Sequence, residues 1–227
     1  MQYQNATQIG TLATEQNKVL RNTYMMLALT MIPTVIGALL GMSMNFSFMA
    51  ASPVMSALLM FGAMIGMMFA VSALRNSVWG IAALLGFTFV AGVFLGPILQ
   101  VALHLSNGAQ LIGMAAGGTG IIFFSLATLA TVTKKDFSFM GKFLFIGLIL
   151  LIVASLANLF FQIPALSLTI SSIAVLLFSA FILYDVSRIV NGGETNYIMA
   201  TLGLFLSIYN LFISLLQLLM AFAGERD

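Results

Sequence analysis

An all-α bundle of seven transmembrane helices is the fold class that this sequence predicts, on three observations. Seven apolar runs occupy most of the 227 residues, and each holds about the 20 residues that a helix needs to cross the hydrocarbon of a bilayer. Hydrophobic residues make up 61% of the chain and charged residues 6%, with a mean hydropathy of +1.12, far outside the soluble range. None of the runs alternates polar and apolar residues as a barrel strand would. Backbone groups in lipid must be satisfied within each segment, which leaves helices as the spanning form.

The runs follow one another with short connections. They cover Tyr24 to Met44, Val54 to Leu74, Val78 to Leu99, Gln110 to Val132, Phe143 to Phe161, Leu166 to Tyr184 and Ile198 to Phe222. The connections run from Asn45 to Pro53, Arg75 to Ser77, Leu105 to Ala109, Thr133 to Lys142, Gln162 to Ala165 and Ser187 to Tyr197. Ser106-Asn107-Gly108 and Asn191-Gly192-Gly193 read as turns. No extramembrane domain fits between the spans. The expected organisation is an N-terminal tail over 1–23, a seven-helix domain over 24–223 and a short tail over 224–227. The opening MQYQNATQIGTLATEQNK is polar and lacks a basic-then-apolar cleavable signal, so the tail is expected to persist.

Orientation follows from the positive charges, because the loops are short enough for the positive-inside rule. Lys18, Arg21, Arg75, Lys134, Lys135, Lys142 and Arg188 fall on one side, and of the eight Lys and Arg residues only Arg226 falls on the other. With seven spans the N-terminus is therefore expected in the cytoplasm and the C-terminus across the membrane. A net charge of +2 with no basic cluster beyond Lys134-Lys135 argues against a nucleic-acid partner. The lipid bilayer is the first partner, and the oligomeric state is left open.

Glycine spacing suggests how the helices meet. Gly37/Gly41, Gly62/Gly66, Gly92/Gly96 and Gly113/Gly117 put one small-xxx-small pair in each of the first four spans, a spacing that lets helix backbones approach closely. Gly117, Gly118 and Gly120 together make the fourth span the expected central helix. On the seventh, Ser207, Asn210, Ser214 and Gln217 form one polar stripe, expected to face the bundle and bond its neighbours.

Ionisable residues in a span need a partner or water. Asp185 ends the run SSIAVLLFSAFILYD about a turn inside the boundary, with Arg188 three residues on along the same face. It reads either as half of a surface pair with Arg188 or, paired with Arg75 from the second span, as a pH-responsive latch closing the bundle. His104, the single histidine, is expected at the interface, bonded to water or backbone. Met60, Met64, Met67 and Met68 form a stripe read as packing rather than a copper site.

Several functions fail for want of parts. Without cysteine there are no disulfides or thiolate metal sites. The last two spans have no lysine for a retinal Schiff base, and no second acid joins Asp185 as an aspartyl protease would need. No GxSxG serves a serine nucleophile. A non-enzymatic role, with no cofactor, is the expectation.

The stretch GGETNYIMATLGLFLSIYNLFISLL from Gly192 to Leu216, VLRNTY at Val19–Tyr24 and FLGPIL at Phe94–Leu99 closely resemble the bacterial YccA branch of the Bax inhibitor family. The likeness runs over nearly the whole chain, with the same length, span number and ending. It implies two functions. Proteins of this branch are partners and slow substrates of the membrane-anchored AAA protease FtsH, which they restrain in the inner membrane. Other branches behave as pH-sensitive calcium leak channels, with calcium as the permeant ion. The first fits the polar stretch from Met1 to about Arg21, read as a flexible cytoplasmic tail that an ATP-driven protease could grip. For the second, Asp185 in LYDVSR matches one aspartate of the channel branch's pair, Ser207 stands where the other would be, and Arg75 matches the family's cytoplasmic arginine. An Asp–Ser pair cannot share protons as two carboxylates do and offers calcium fewer charged oxygens, so the protease reading comes first.

Overall fold

A computed structural model describes residues 2–47 and 51–224, with side chains from residue 16 onward. Arg226, and with it most of the expected C-terminal tail, lies outside the described residues. The regular elements are α1 (Gln2–Ser43), α2 (Pro53–Leu74), α3 (Val78–Phe94), α4 (Gly96–Leu103), α5 (Gly108–Thr133), a 3-10 turn (Ser138–Met140), α6 (Gly141–Phe161), α7 (Pro164–Val190) and α8 (Tyr197–Gly224). Among the described residues seven stretches are long and apolar enough to cross a membrane, beginning with Gln16–Ser43 and ending with Tyr197–Ala223. The protein is an all-helical, multi-pass membrane bundle.

Two elements differ from the sequence expectation. The polar N-terminal stretch, expected as a flexible tail, is helical from Gln2 as a continuation of α1. The third span is two helices. Pro97 has no N–H and cannot continue the ladder of α3, and the Leu95 N–H bonds the Gly92 carbonyl at 3.0 Å, a tightened last turn. The Ala91 carbonyl, left without its helical donor, accepts a hydrogen bond from the Tyr209 hydroxyl of α8 at 2.9 Å.

α8 is the central helix: α1, α2, α3, α5 and α7 all pack against it. Leu204, Phe205, Leu211 and Leu216 are fully buried along it. Phe205 meets Phe87 of α3 edge-on, with centroids 5.9 Å apart. The fourth span, α5, is not the centre. An added Cβ would touch nothing at Gly113, Gly117 or Gly120, and at Gly118 only a Leu215 methyl at 3.6 Å. Glycine permits close approach without demanding it, and on α5 that permission faces away from the bundle.

The glycine pairs divide in two. Gly37 and Gly41 of α1 meet Gly92 and Gly96 of the third span, backbone against backbone. A Cβ at Gly37 would strike the Phe89 carbonyl, at Gly41 the Val93 carbonyl, at Gly92 the Thr34 carbonyl, and at Gly96 the Gly41 carbonyl. Such contact suits weak Cα–H···O bonds and dispersion, which drive helix association where the hydrophobic effect cannot. Gln100 of α4 then caps α1, its Nε2 donating to the Met42 and Met44 carbonyls at 2.9 Å each, groups that a helix end leaves without donors. A Cβ added at Gly62 or Gly66 of α2, as at Gly113 or Gly117 of α5, would meet nothing among the described residues.

Candidate functional site at the basic end of the bundle

Three sets of contacts gather the Lys- and Arg-bearing ends of the helices into one polar cap. The Asn196 amide donates to the Arg75 carbonyl at 3.1 Å and to Asn76 Oδ1 at 3.0 Å, tying the α2–α3 turn to the start of α8. The Ser187 hydroxyl accepts from the Phe137 N–H and donates to the Lys135 carbonyl, both at 2.9 Å, tying the α5–α6 connection to α7. The side chain of Gln16 on α1 fills the space where a Cβ on Gly192 would stand. Asp136 projects from this cap, and hydrogen bonds from Ser138 hold its carboxyl below the usual carboxylate range.

The connection from α7 to α8 builds the wall of the site. α7 ends at Val190, and Gly192 turns the chain at φ +77, a conformation glycine adopts without strain. The N–H groups of Gly193 and Glu194 both return to the Arg188 carbonyl, at 2.7 and 3.2 Å. This folds Glu194 back beside Arg188, whose Nη2 lies 3.5 Å from Glu194 Oε2 and donates to the Gly193 carbonyl at 3.1 Å. The guanidinium also sits 5.5 Å from the ring centroid of Tyr184. Asn196 then starts α8 as its cap, with Oδ1 accepting from the N–H groups of Ile198 and Met199 at 3.0 and 3.1 Å.

Beneath this turn lies a cavity of about 220 Å³ between α2, α7 and α8, walled by Met68, Leu206 and other apolar side chains, with Asp185, Arg188 and Glu194 as its charged groups. Asp185 Oδ2 accepts from the buried Ser207 hydroxyl at 3.3 Å. That hydroxyl also reaches the Gly203 carbonyl at 3.1 Å, so one proton serves two acceptors. Gly203 leaves the room: a Cβ there would stand 3.4 Å from Asp185 Oδ2. The site thus holds two carboxylates and one guanidinium on an apolar wall. Among the described residues no group of three or more His, Cys, Asp or Glu could hold a metal ion.

Of the residues singled out from sequence, Asp185, Ser207 and Arg188 come together here, and Arg75 does not. Arg75 is exposed on the α2–α3 turn and takes no part in the cavity wall. Among the described residues no ion pair joins it to Asp185, so the latch is not formed in this structure. Nor does Arg188 pair with Asp185 as an i,i+3 partner, because the turn offers it Glu194. The polar stripe of α8 bonds partly to its own helix, through Asn210 to the Leu206 carbonyl and Ser214 to the Asn210 carbonyl. It reaches its neighbour at Ser207 and at Gln217, whose Oε1 accepts from Ser171 of α7 at 2.8 Å. His104 Nδ1 lies 2.7 Å from the Gln100 carbonyl.

The residues around this cavity lie in a region that comparison with known proteins covers in full. The model of the family described as "Inhibitor of apoptosis-promoting Bax1" matches residues 16–224. The chain belongs to the Bax inhibitor family. An uncharacterized protein of Pseudomonas aeruginosa is 43% identical over 213 residues, 94% of this chain and 93% of the relative. A protein of Neisseria meningitidis serogroup A is 41% identical over 212 residues, 92% of this chain and 93% of its own. The Escherichia coli K12 protein named "Modulator of FtsH protease YccA" is 41% identical over 203 residues, 89% of this chain and 90% of the relative. The matched residues 16–224 include every residue of the cavity.

Glu194 and Asn196 were not singled out from sequence, although both lie within the GGETNYI motif. Their signals were present. A Gly-Gly turn between Arg188 and Glu194 lets the acid return to the base, and an Asn directly before an apolar run is a helix-start signal.

Proposed function

We propose that this protein resides in the bacterial inner membrane, with its N-terminus in the cytoplasm, and modulates a membrane-anchored AAA protease of the FtsH type without catalysing a reaction itself. The observation that carries this reading is the 41% identity, over 89% of this chain and 90% of the relative, to a protein named as a modulator of that protease. The start of α1 supports it. Its sequence is polar up to the first apolar run at Tyr24, which offers the protease a segment outside the apolar stretch to engage. Removing the first 15 residues is expected to leave a folded protein that the protease degrades far more slowly. Pulse-chase turnover with the protease present and absent measures this, and equal degradation of the truncated and full-length chains would overturn it.

The cavity supports a second reading, a cation leak in which calcium or a monovalent ion passes Asp185. Flux through purified protein in liposomes, compared between wild type and Asp185→Asn at pH 6 and pH 8, tests it. A flux altered by the substitution supports the leak, and no flux above empty liposomes removes it.

A further inference from the structure

The three charged groups of the cavity are not equally satisfied. Arg188 has three partners: its Nη2 donates to the Gly193 carbonyl at 3.1 Å and lies 3.5 Å from Glu194 Oε2, and its guanidinium sits 5.5 Å from the Tyr184 ring centroid. Glu194 is engaged through both oxygens, since Oε1 accepts from the Asn196 N–H at 3.0 Å. Asp185 has one partner. Its Oδ2 shares the Ser207 hydroxyl proton with the Gly203 carbonyl, and Oδ1 receives no hydrogen bond from any described residue. A carboxylate oxygen set in an apolar wall is costly without a donor, and this one belongs to a side chain that lines the cavity.

Charge and walls together then set the chemistry of a ligand. Arg188 and Glu194 neutralise each other, which leaves the single charge of Asp185 and so calls for a monovalent cation. Calcium takes roughly six to eight oxygen ligands, and here it would meet one free carboxylate oxygen beside a guanidinium. Around the charged groups stand Met68 of α2, Ile189 of α7, and Met199, Leu202 and Leu206 of α8, surfaces that suit a hydrocarbon chain. At about 220 Å³ the cavity is smaller than the roughly 300–1,000 Å³ pockets that take drug-sized ligands, so the chain must be short. We propose that this cavity binds a small organic ammonium, with its N–H groups on Asp185 Oδ1 and its apolar chain against Met68 and Leu206, and that the Arg188–Glu194 pair excludes divalent cations from it. This goes beyond the protease and leak readings and needs neither, because it concerns binding alone.

Binding of n-butylammonium to the full-length protein in phosphatidylcholine nanodiscs is measured by saturation-transfer NMR, with empty nanodiscs as the blank. It is expected to bind about tenfold or more tightly than 1-butanol, its neutral isostere, as one charge-assisted hydrogen bond allows, and calcium should not displace it. Asp185→Asn should weaken it by a similar factor. Arg188→Gln should act in the opposite direction: it frees Glu194, so the cavity gains a second carboxylate, n-butylammonium binds more tightly and calcium now competes. Structural damage would weaken binding in both variants, so the opposite directions separate the site from a loss of fold. Adding phosphatidylethanolamine to the nanodiscs identifies the source of the ammonium, since competition points to a lipid headgroup and its absence to a free amine. The proposal is overturned if 1-butanol binds as well as n-butylammonium, if Asp185→Asn binds it unchanged, or if Arg188→Gln weakens it.

Discussion

α8 and α6 are both long, apolar, membrane-crossing helices, yet they sit in opposite places. α6 belongs to the most apolar of the seven spans and has a single buried residue, Leu144. α8 is less apolar, carries Ser207, Asn210, Ser214 and Gln217, and is surrounded by five other helices. In a soluble bundle the ranking would be reversed. Here lipid tails solvate Leu and Phe as well as a protein core does, so an apolar surface has no reason to turn inward. Polar side chains and backbone contact decide the centre, and Phe143, Phe145, Ile146, Leu150 and Phe160 of α6 are exposed where the bilayer would be.

The sharpest way to break that comparison is to put the same bulk into a contacting glycine and an open one. Gly41→Leu drives a side chain into the Val93 backbone of the third span, where nothing can move aside. It is expected to cost about 3 kcal/mol or more, the upper range for overpacking, and to leave little folded protein. Gly117→Leu on α5 meets open space and should stay within about 0.5 kcal/mol of wild type. Unfolding in mixed detergent micelles measures both. Equal losses would mean that the outward face of α5 is packed in the native protein.

A smaller effect sharpens the comparison at the level of hydroxyl groups. Ser207→Ala removes the hydrogen-bond donor to Asp185 Oδ2, and because the carboxylate still reaches the cavity the cost should be about 1 kcal/mol. Ser155→Ala on α6 removes only an exposed bond back to the Leu151 carbonyl of its own helix and should be close to neutral. If the two variants unfold together, the central position of α8 owes nothing to this contact.

The spans could be read because their signal is local: twenty apolar residues are visible without knowing any neighbour. The break at Pro97 was harder to see, because FLGPIL also reads as a continuous apolar run, and only the Tyr209 hydroxyl bonded to the Ala91 carbonyl shows where the ladder is cut. Glycine pairs were legible as spacing and not as contact. Gly37/Gly41 and Gly113/Gly117 look alike in sequence, and which face turns inward is set by residues on other helices. At the site, the nearness of Asp185 and Ser207 was implied by family resemblance, since it joins positions 22 residues apart on two helices. Arg188 reads in the sequence as one of two alternative partners of Asp185, and in the fold it pairs with Glu194. Its i,i+3 neighbour is Asp185, but a Gly-Gly turn brings Glu194 around to it, and helical spacing cannot register a turn.

The smallest expected effect lies at the cap and depends on pH. Asp136 accepts hydrogen bonds from Ser138 in the fold, including one from its backbone N–H at 2.8 Å, and its pKa is lowered from the ordinary 3.8. A group whose folded pKa lies below its unfolded value stabilises the folded state above the unfolded value. That contribution is lost as the pH falls below 3.8 and through the folded value. Asp136→Asn should therefore leave stability near neutral pH slightly reduced and flatten its fall between about pH 5 and pH 3. Detergent unfolding at a series of pH values checks this, with Asp136 fully exposed and the change correspondingly slight. A variant that kept the full acid slope would show that Asp136 contributes nothing to it.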